Sequence, residues 1–298
     1  MLLKKRKNNR LTRRWYRTRA KHTRKHHIRH IKAFIGGNPS DSPPVAANTA
    51  PKVAILFSGR IKGYENVKNN LESIKKAYNP IVFCSLNKKG HSDYIKGFCD
   101  FMGITTDRLK LIPSPRVPNA LLDNPKVHAD PDWVRGVKHG NSEGKEGRYS
   151  GAYSYMFQMK SVYELLEEYQ KRNNMVFDIV LSYRADIDTK DKLELAYPVK
   201  DMSLYVPAPR GDSSHSETWC DHGGLCNQVF YGNPATMKIA CYLFDNIEEL
   251  AINQNVRYHC ESLLKKHMEN NKINIERFPY FFSLHKSRHE IHPMANIP

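Results

Sequence analysis

Short runs of branched and aromatic residues alternate along the chain with stretches of helical periodicity, and that alternation predicts an α/β fold. Val53-Ala-Ile-Leu-Phe57 contains no polar position, the pattern of a strand covered on both faces. Val67, Leu71, Ile74 and Tyr78 then repeat at the spacing of a helix with one buried side. Ile81–Leu86 is a second strand. Ser92–Met102 is a second helix, with Ile95, Phe98, Cys99 and Met102 on its apolar face, and Leu109–Ile112 is a short third strand. This order implies a mostly parallel sheet with helices on both sides.

The rhythm breaks from Pro113 to Arg148, a polar stretch with Pro and Gly that reads as a surface insertion, either a lid or a disordered excursion. Helical spacing returns between Tyr149 and Arg172, in a stripe of Met and Tyr that reads as core. That helix leads into Phe177–Tyr183, whose Ile179-Val-Leu181 centre predicts a buried strand. Further strands are expected at Leu204–Pro207, Asn227–Gly232, Ile273–Phe278 and Phe281–Leu284. Pro234 suits the first position of a helix with Met237, Ala240, Cys241, Phe244 and Ile247 inward, and His259-Cys-Glu261 opens another through Asn270.

Charge divides the chain in two. Of its 298 residues, the first 32 hold 14 Lys/Arg and no acid, which leaves 33 basic against 30 acidic residues elsewhere. The high net charge of +17 therefore belongs to an arm, residues 4–32, with too few apolar residues to order itself. Its charge suits polyanions: nucleic-acid phosphates, an anionic membrane surface or a nuclear targeting receptor. Residues 33–51 are small and Pro-rich, so residues 1–51 read as a disordered basic arm with its linker and residues 52–298 as the folded domain. The first residues lack the apolar core of a signal peptide, and no transmembrane segment is expected. Six cysteines without a CxxC pair fit reduced thiols and a cytoplasmic protein, the arm adding nuclear, nucleolar or virion association as alternatives.

The chemistry gathers behind predicted strands. Directly after the strand at 179–183 stand Arg184-Ala-Asp186-Ile-Asp188. Two carboxylates at the carboxyl end of a central strand can hold a hard divalent cation, and the cation a diphosphate. Asp130-Pro-Asp132 has the same spacing but no apolar strand before it. Ser58-Gly59-Arg60, after the first strand, offers backbone amides and a guanidinium to an anion. Cys220, His222 and Cys226 lack a fourth ligand for zinc at suitable spacing. Asp221, in a polar Gly-rich stretch, and Glu261, at a helix start, are the acids placed to act as a general base.

With the Ser58-Gly59-Arg60 turn, the Arg-x-Asp-x-Asp motif, the strand-turn-helix NQVFYGNPATM and the later HCESLLKKHMENNKINIERF, residues 52–285 resemble the GT-A glycosyltransferases. They are most similar to the glycosyltransferase-like proteins of large DNA viruses and algae and to lipopolysaccharide-synthesis relatives of the WavE type. The resemblance implies a Rossmann-like GT-A fold and an enzyme that moves a sugar from a nucleotide-diphosphate donor to a glycan or protein acceptor, with Mn²⁺ or Mg²⁺. It makes Asp188 a metal ligand and Asp186 a ligand of metal or donor, with His285 completing the metal set. Ser58, Gly59, Arg60 and Arg184 would hold the donor. Where relatives often have Asp-Gln, this chain has Asn227-Gln228, which would bind substrate. Asp221 and Glu261 remain the candidates for the base of an inverting reaction, which a retaining enzyme does not need. Two other functions are compatible with the same residues: a nucleotidyltransferase or phosphate hydrolase, and a non-catalytic nucleic-acid-binding protein acting through the arm.

Overall fold

A computed structural model describes residues 50–59, 61, 63–88, 92–122, 145–208 and 224–284, with the backbone alone for residues 92 and 145–150. In chain order the strands are β1 (Val53–Ser58), β2 (Ile81–Asn87), β3 (Leu109–Ile112), β4 (Ile179–Tyr183), β5 (Ile187–Asp188), β6 (Ser203–Pro207), β7 (Val229–Gly232), β8 (Asn274–Phe278) and β9 (Ser283–Leu284). Seven of them form one sheet in the order β3-β2-β1-β4-β7-β6-β8, while β5 and β9 pair antiparallel in a second sheet. The main helices are α1 (Lys68–Tyr78), α2 (Ser92–Met102), α3 (Lys145–Asn173), α4 (Pro234–Cys241) and α5 (Cys260–Asn270). None of the described helices is long and apolar enough to cross a membrane.

β1, apolar as far as its last residue Ser58, lies between β2 and β4, parallel to both, and every one of its residues is buried. Alternation along it feeds two cores. Ala54 and Leu56 pack with α3, α4 and α5, whereas Val53, Ile55 and Phe57 pack with Leu71, Ile74, Phe98 and Met102 of α1 and α2. Burying one such side chain contributes about 1.5–3 kcal/mol, which is why a run with no polar position settles at the centre. The expected α/β architecture with a mostly parallel sheet is therefore present, and compatible with a Rossmann-like fold.

Two features departed from the sequence pattern. Within the seven-stranded sheet β7 alone is reversed, antiparallel to β4 on one side and β6 on the other. The apolar stripe after Pro234 is not one helix: α4, capped by the Asn233 side chain accepting from the Thr236 amide at 2.9 Å, stops at Cys241. The chain tightens into a 3₁₀ segment, Tyr242–Asn246, that packs Phe244 against Tyr153 and Phe157 of α3. The basic arm lies outside the described residues, as do Asp130 and Asp132 and most of the predicted insertion.

Candidate functional site

The parallel strands release the chain at one edge of the sheet. There β1 gives way to Gly59, β2 ends at Asn87, and β4 passes into Arg184. The reversal of β7 brings its amino end to the same edge: Tyr183 pairs with Val229, and the Arg184 amide donates to the Gln228 carbonyl at 3.0 Å. The first turn of α5 closes the ring. Between these segments lies a cavity of about 870 Å³, of the size that holds small-molecule ligands, with Gly59, Arg184, Asn227, Gln228, His259 and Glu261 among its lining.

Gly59 has φ +86°, and a Cβ there would meet the Tyr155 ring at 3.1 Å, so the turn after β1 needs glycine twice over. Tyr155 comes from α3 and donates its hydroxyl to the Asn227 carbonyl, tying the helix to the segment before β7. Burial pushes its phenol far above the ordinary range, so it acts as a donor and not as a base. One turn further along α3, the buried Gln158 donates its amide N–H to Ser154 at 3.3 Å, while its carbonyl oxygen has no hydrogen-bond partner among the described residues. The carbonyl oxygen of the buried Gln228 likewise has none among them. An unpaired buried acceptor costs about 1–3 kcal/mol, and both residues belong to the cavity lining.

Arg184 is the one lysine or arginine among the described residues lining this space. Its Nε donates to Asp186 Oδ1 at 2.9 Å and its Nη2 to Oδ2 at 2.8 Å, a two-pronged pair that fixes the guanidinium plane. Asp186 is only 3 % exposed and stands behind the arginine, not on the cavity wall. Burial works against the arginine's charge, but the hydrogen bonds and charge of Asp186, with Tyr155 and Glu261 beyond, outweigh it and raise the Arg184 pKa.

At the start of α5, also in the lining, His259 has extended backbone (φ −141°, ψ 136°), and its Nδ1 approaches Glu261 Oε2 at 2.7 Å. Glu261 is 6 % exposed and clamped from behind. The Leu225 amide donates to its carbonyl at 3.0 Å, and a Cβ on Gly224 would fall 2.3 Å from its carbonyl carbon. Cys260, between the two, keeps part of its surface, yet burial of the thiol and the charge of Glu261 push its ionisation well above the ordinary range.

Of the residues expected from sequence, the structure thus brings together Gly59, Arg184, Asn227, Gln228 and Glu261 around one cavity. Ser58 is buried at the end of β1 and is not in the lining. Arg60, Asp221 and His285 lie outside the described residues. Asp188 is exposed on β5, opposite Ser283 of β9, and is not in the lining either. A cage for a divalent cation needs carboxylate oxygens about 2.0–2.6 Å from the ion. Both oxygens of Asp186 already accept from Arg184, and a cation at that distance would lie against the guanidinium charge. Asp186, held in this way, does not fit the metal that the resemblance implies, and among the described residues no three His, Cys, Asp or Glu side chains converge on a point.

His259, Tyr155 and Gln158 were not foreseen. Tyr155 and Gln158 sit within the Met/Tyr stripe of α3 that reads as core, and the signal was Gln158 itself, an amide inside an apolar periodicity. No protein-family model and no curated protein matches this chain.

Proposed function

We propose that the protein is a nucleotide-sugar-dependent glycosyltransferase of the GT-A type. The observation that carries this reading is the content of the cavity: one fixed guanidinium, two buried amides short of donors, and a carboxylate–imidazole pair, all at the edge where an α/β sheet binds ligands. Arg184 answers a phosphate charge, Gln158 and Gln228 answer the hydroxyls or base N–H groups of a nucleotide sugar, and Glu261 with His259 takes the proton of an attacking acceptor hydroxyl. The sheet is compatible with the resemblance, having a parallel half, β3-β2-β1-β4, and one reversed strand beyond it. No step of this reading runs through a cation.

A thermal-shift panel tests it, because a ligand that binds only the folded state raises the melting temperature by an amount that grows with the logarithm of its affinity. Nucleoside diphosphates and their sugar conjugates should raise it, and at least one conjugate should be consumed when glycan acceptors are supplied. Consumption of nucleoside triphosphates with no response to any sugar conjugate would replace the reading with a nucleotidyltransferase or hydrolase on the same fold.

A further inference from the structure

Asp-x-Asp spacing invites one description of Asp186 and Asp188, as two ligands of one ion, and the structure separates them. Asp186 spends both oxygens on Arg184, two residues earlier in the chain. Asp188 follows on another small sheet, exposed and away from the cavity. What lines the cavity from this motif is Arg184, with a side chain 25 % exposed. It is held at one end by the Arg184 amide on the Gln228 carbonyl and at the other by the two-pronged bond to Asp186. Arg carries five N–H donors in a fixed fork, and the bond to Asp186 leaves Nη1 and the second N–H of Nη2 for another acceptor.

Resting on the glycosyltransferase reading, we infer that Arg184 receives the diphosphate of the donor directly, without a divalent cation, and that Asp186 is its positioning residue. Charge neutralisation at a diphosphate is needed whichever group supplies it, and a guanidinium fixed before the ligand arrives loses little freedom on binding. After Asp186, the carboxylate that acts on Arg184 among the described residues is Glu261, which has its own nitrogen partner in His259 at 2.7 Å. The carboxylate behind Arg184 therefore keeps the guanidinium aimed, and Glu261 pairs with His259 instead of occupying it.

Calorimetric titration of UDP and GDP into the full-length protein, in EDTA and in Mn²⁺, tests this. The expected result is the same affinity in both conditions. Arg184→Gln should weaken binding by roughly tenfold to a hundredfold, the worth of a hydrogen bond to a charged group. Arg184→Lys, which keeps the charge in the fold but loses the fork, should also weaken it. Asp188→Asn should change nothing. Asp186→Asn should weaken binding in the wild-type background and add no further loss to Arg184→Gln, a coupling that a merely structural role would not produce. Binding that needs Mn²⁺, with Asp186→Asn or Asp188→Asn raising the Mn²⁺ required, overturns the inference and leaves the glycosyltransferase reading standing. No binding of either nucleotide in either condition, with none from the wider diphosphate panel, overturns both.

Discussion

Arg184 with Asp186 beyond β4, on one wall, and His259 with Glu261 at the start of α5, on the other, each set a carboxylate against a nitrogen base two residues away in sequence. The backbone makes them different. Beyond β4 the chain turns so that Asp186 goes inward, 3 % exposed, and only the arginine lines the cavity. At the start of α5 the extended His259 reaches forward to Glu261, and both members line it. One wall thus offers a permanent positive charge with its counter-ion hidden, which suits holding an anion. The other offers a carboxylate and an imidazole together, which suits moving a proton. Equal spacing in the sequence says nothing of this, because the side-chain directions follow from a strand end in one case and a helix start in the other.

The largest effect that tests the contrast is on stability. Arg184 cannot shed its charge, so Asp186→Ala leaves a three-quarters buried cation without a partner. We expect a loss of about 3 kcal/mol, the low end for a broken buried pair because part of the side chain reaches solvent. Glu261→Ala should cost less, about 1 kcal/mol, because an imidazole, unlike a guanidinium, can exist without a charge and so needs no counter-ion. Urea unfolding of the two variants measures both. Equal losses would mean that the walls are the same kind of structure and that the contrast fails.

Next in size is Gly224→Ala. The new methyl would fall 2.3 Å from the Glu261 carbonyl carbon, so α5 or the segment before β7 must move, at about 1–3 kcal/mol for overpacking. The displacement belongs to the His259–Glu261 wall. Binding of UDP, which the inference above assigns to Arg184, should survive in the folded fraction. If the melting temperature falls and UDP affinity falls with it, the two walls are mechanically one unit.

Much of this framework is legible in the sequence. The unbroken apolar run Val53–Phe57 and the helical stripe Val67–Tyr78 place β1 and α1 because burial alone decides them. β1, β2 and β4, three strongly apolar runs, are neighbours at the centre of the sheet. Gly59, Arg184, Asn227, Gln228 and Glu261 were legible because each stands at an end of such an element, and element ends meet at a sheet edge. What the pattern does not encode is direction and pairing. β7 reads as one more apolar strand whether it runs with or against β4, and its reversal is what carries Asn227 and Gln228 to the cavity. The capture of Asp186 by Arg184 depends on torsions after β4 that the string RADID does not show. His259 was hidden similarly, since one extended residue before α5 decides that it reaches Glu261.

The smallest expected effect concerns the residue between the two members of the second wall. Cys260 lines the cavity between a histidine and a glutamate, and on spacing alone that triplet suggests a nucleophilic thiol. The local electrostatics point the other way. A reactive thiol needs its pKa lowered by a cation or an open helix start. Here burial raises it first and the Glu261 charge raises it further, while the Asn227 hydrogen bond and the more distant Arg184 lower it only in part. A group whose pKa is raised stays protonated as pH climbs through the ordinary thiol range, so at pH 8 almost no thiolate is present in the folded protein. Iodoacetamide at pH 8 should therefore leave Cys260 unmodified in peptide maps of the native protein and modify it fully once urea unfolds the chain. Cys260→Ser should leave UDP binding unchanged. Rapid native alkylation of Cys260, sensitive to Glu261→Gln, would show that this wall stabilises a thiolate and not a proton-accepting pair, and the division of labour between the two walls would have to be redrawn.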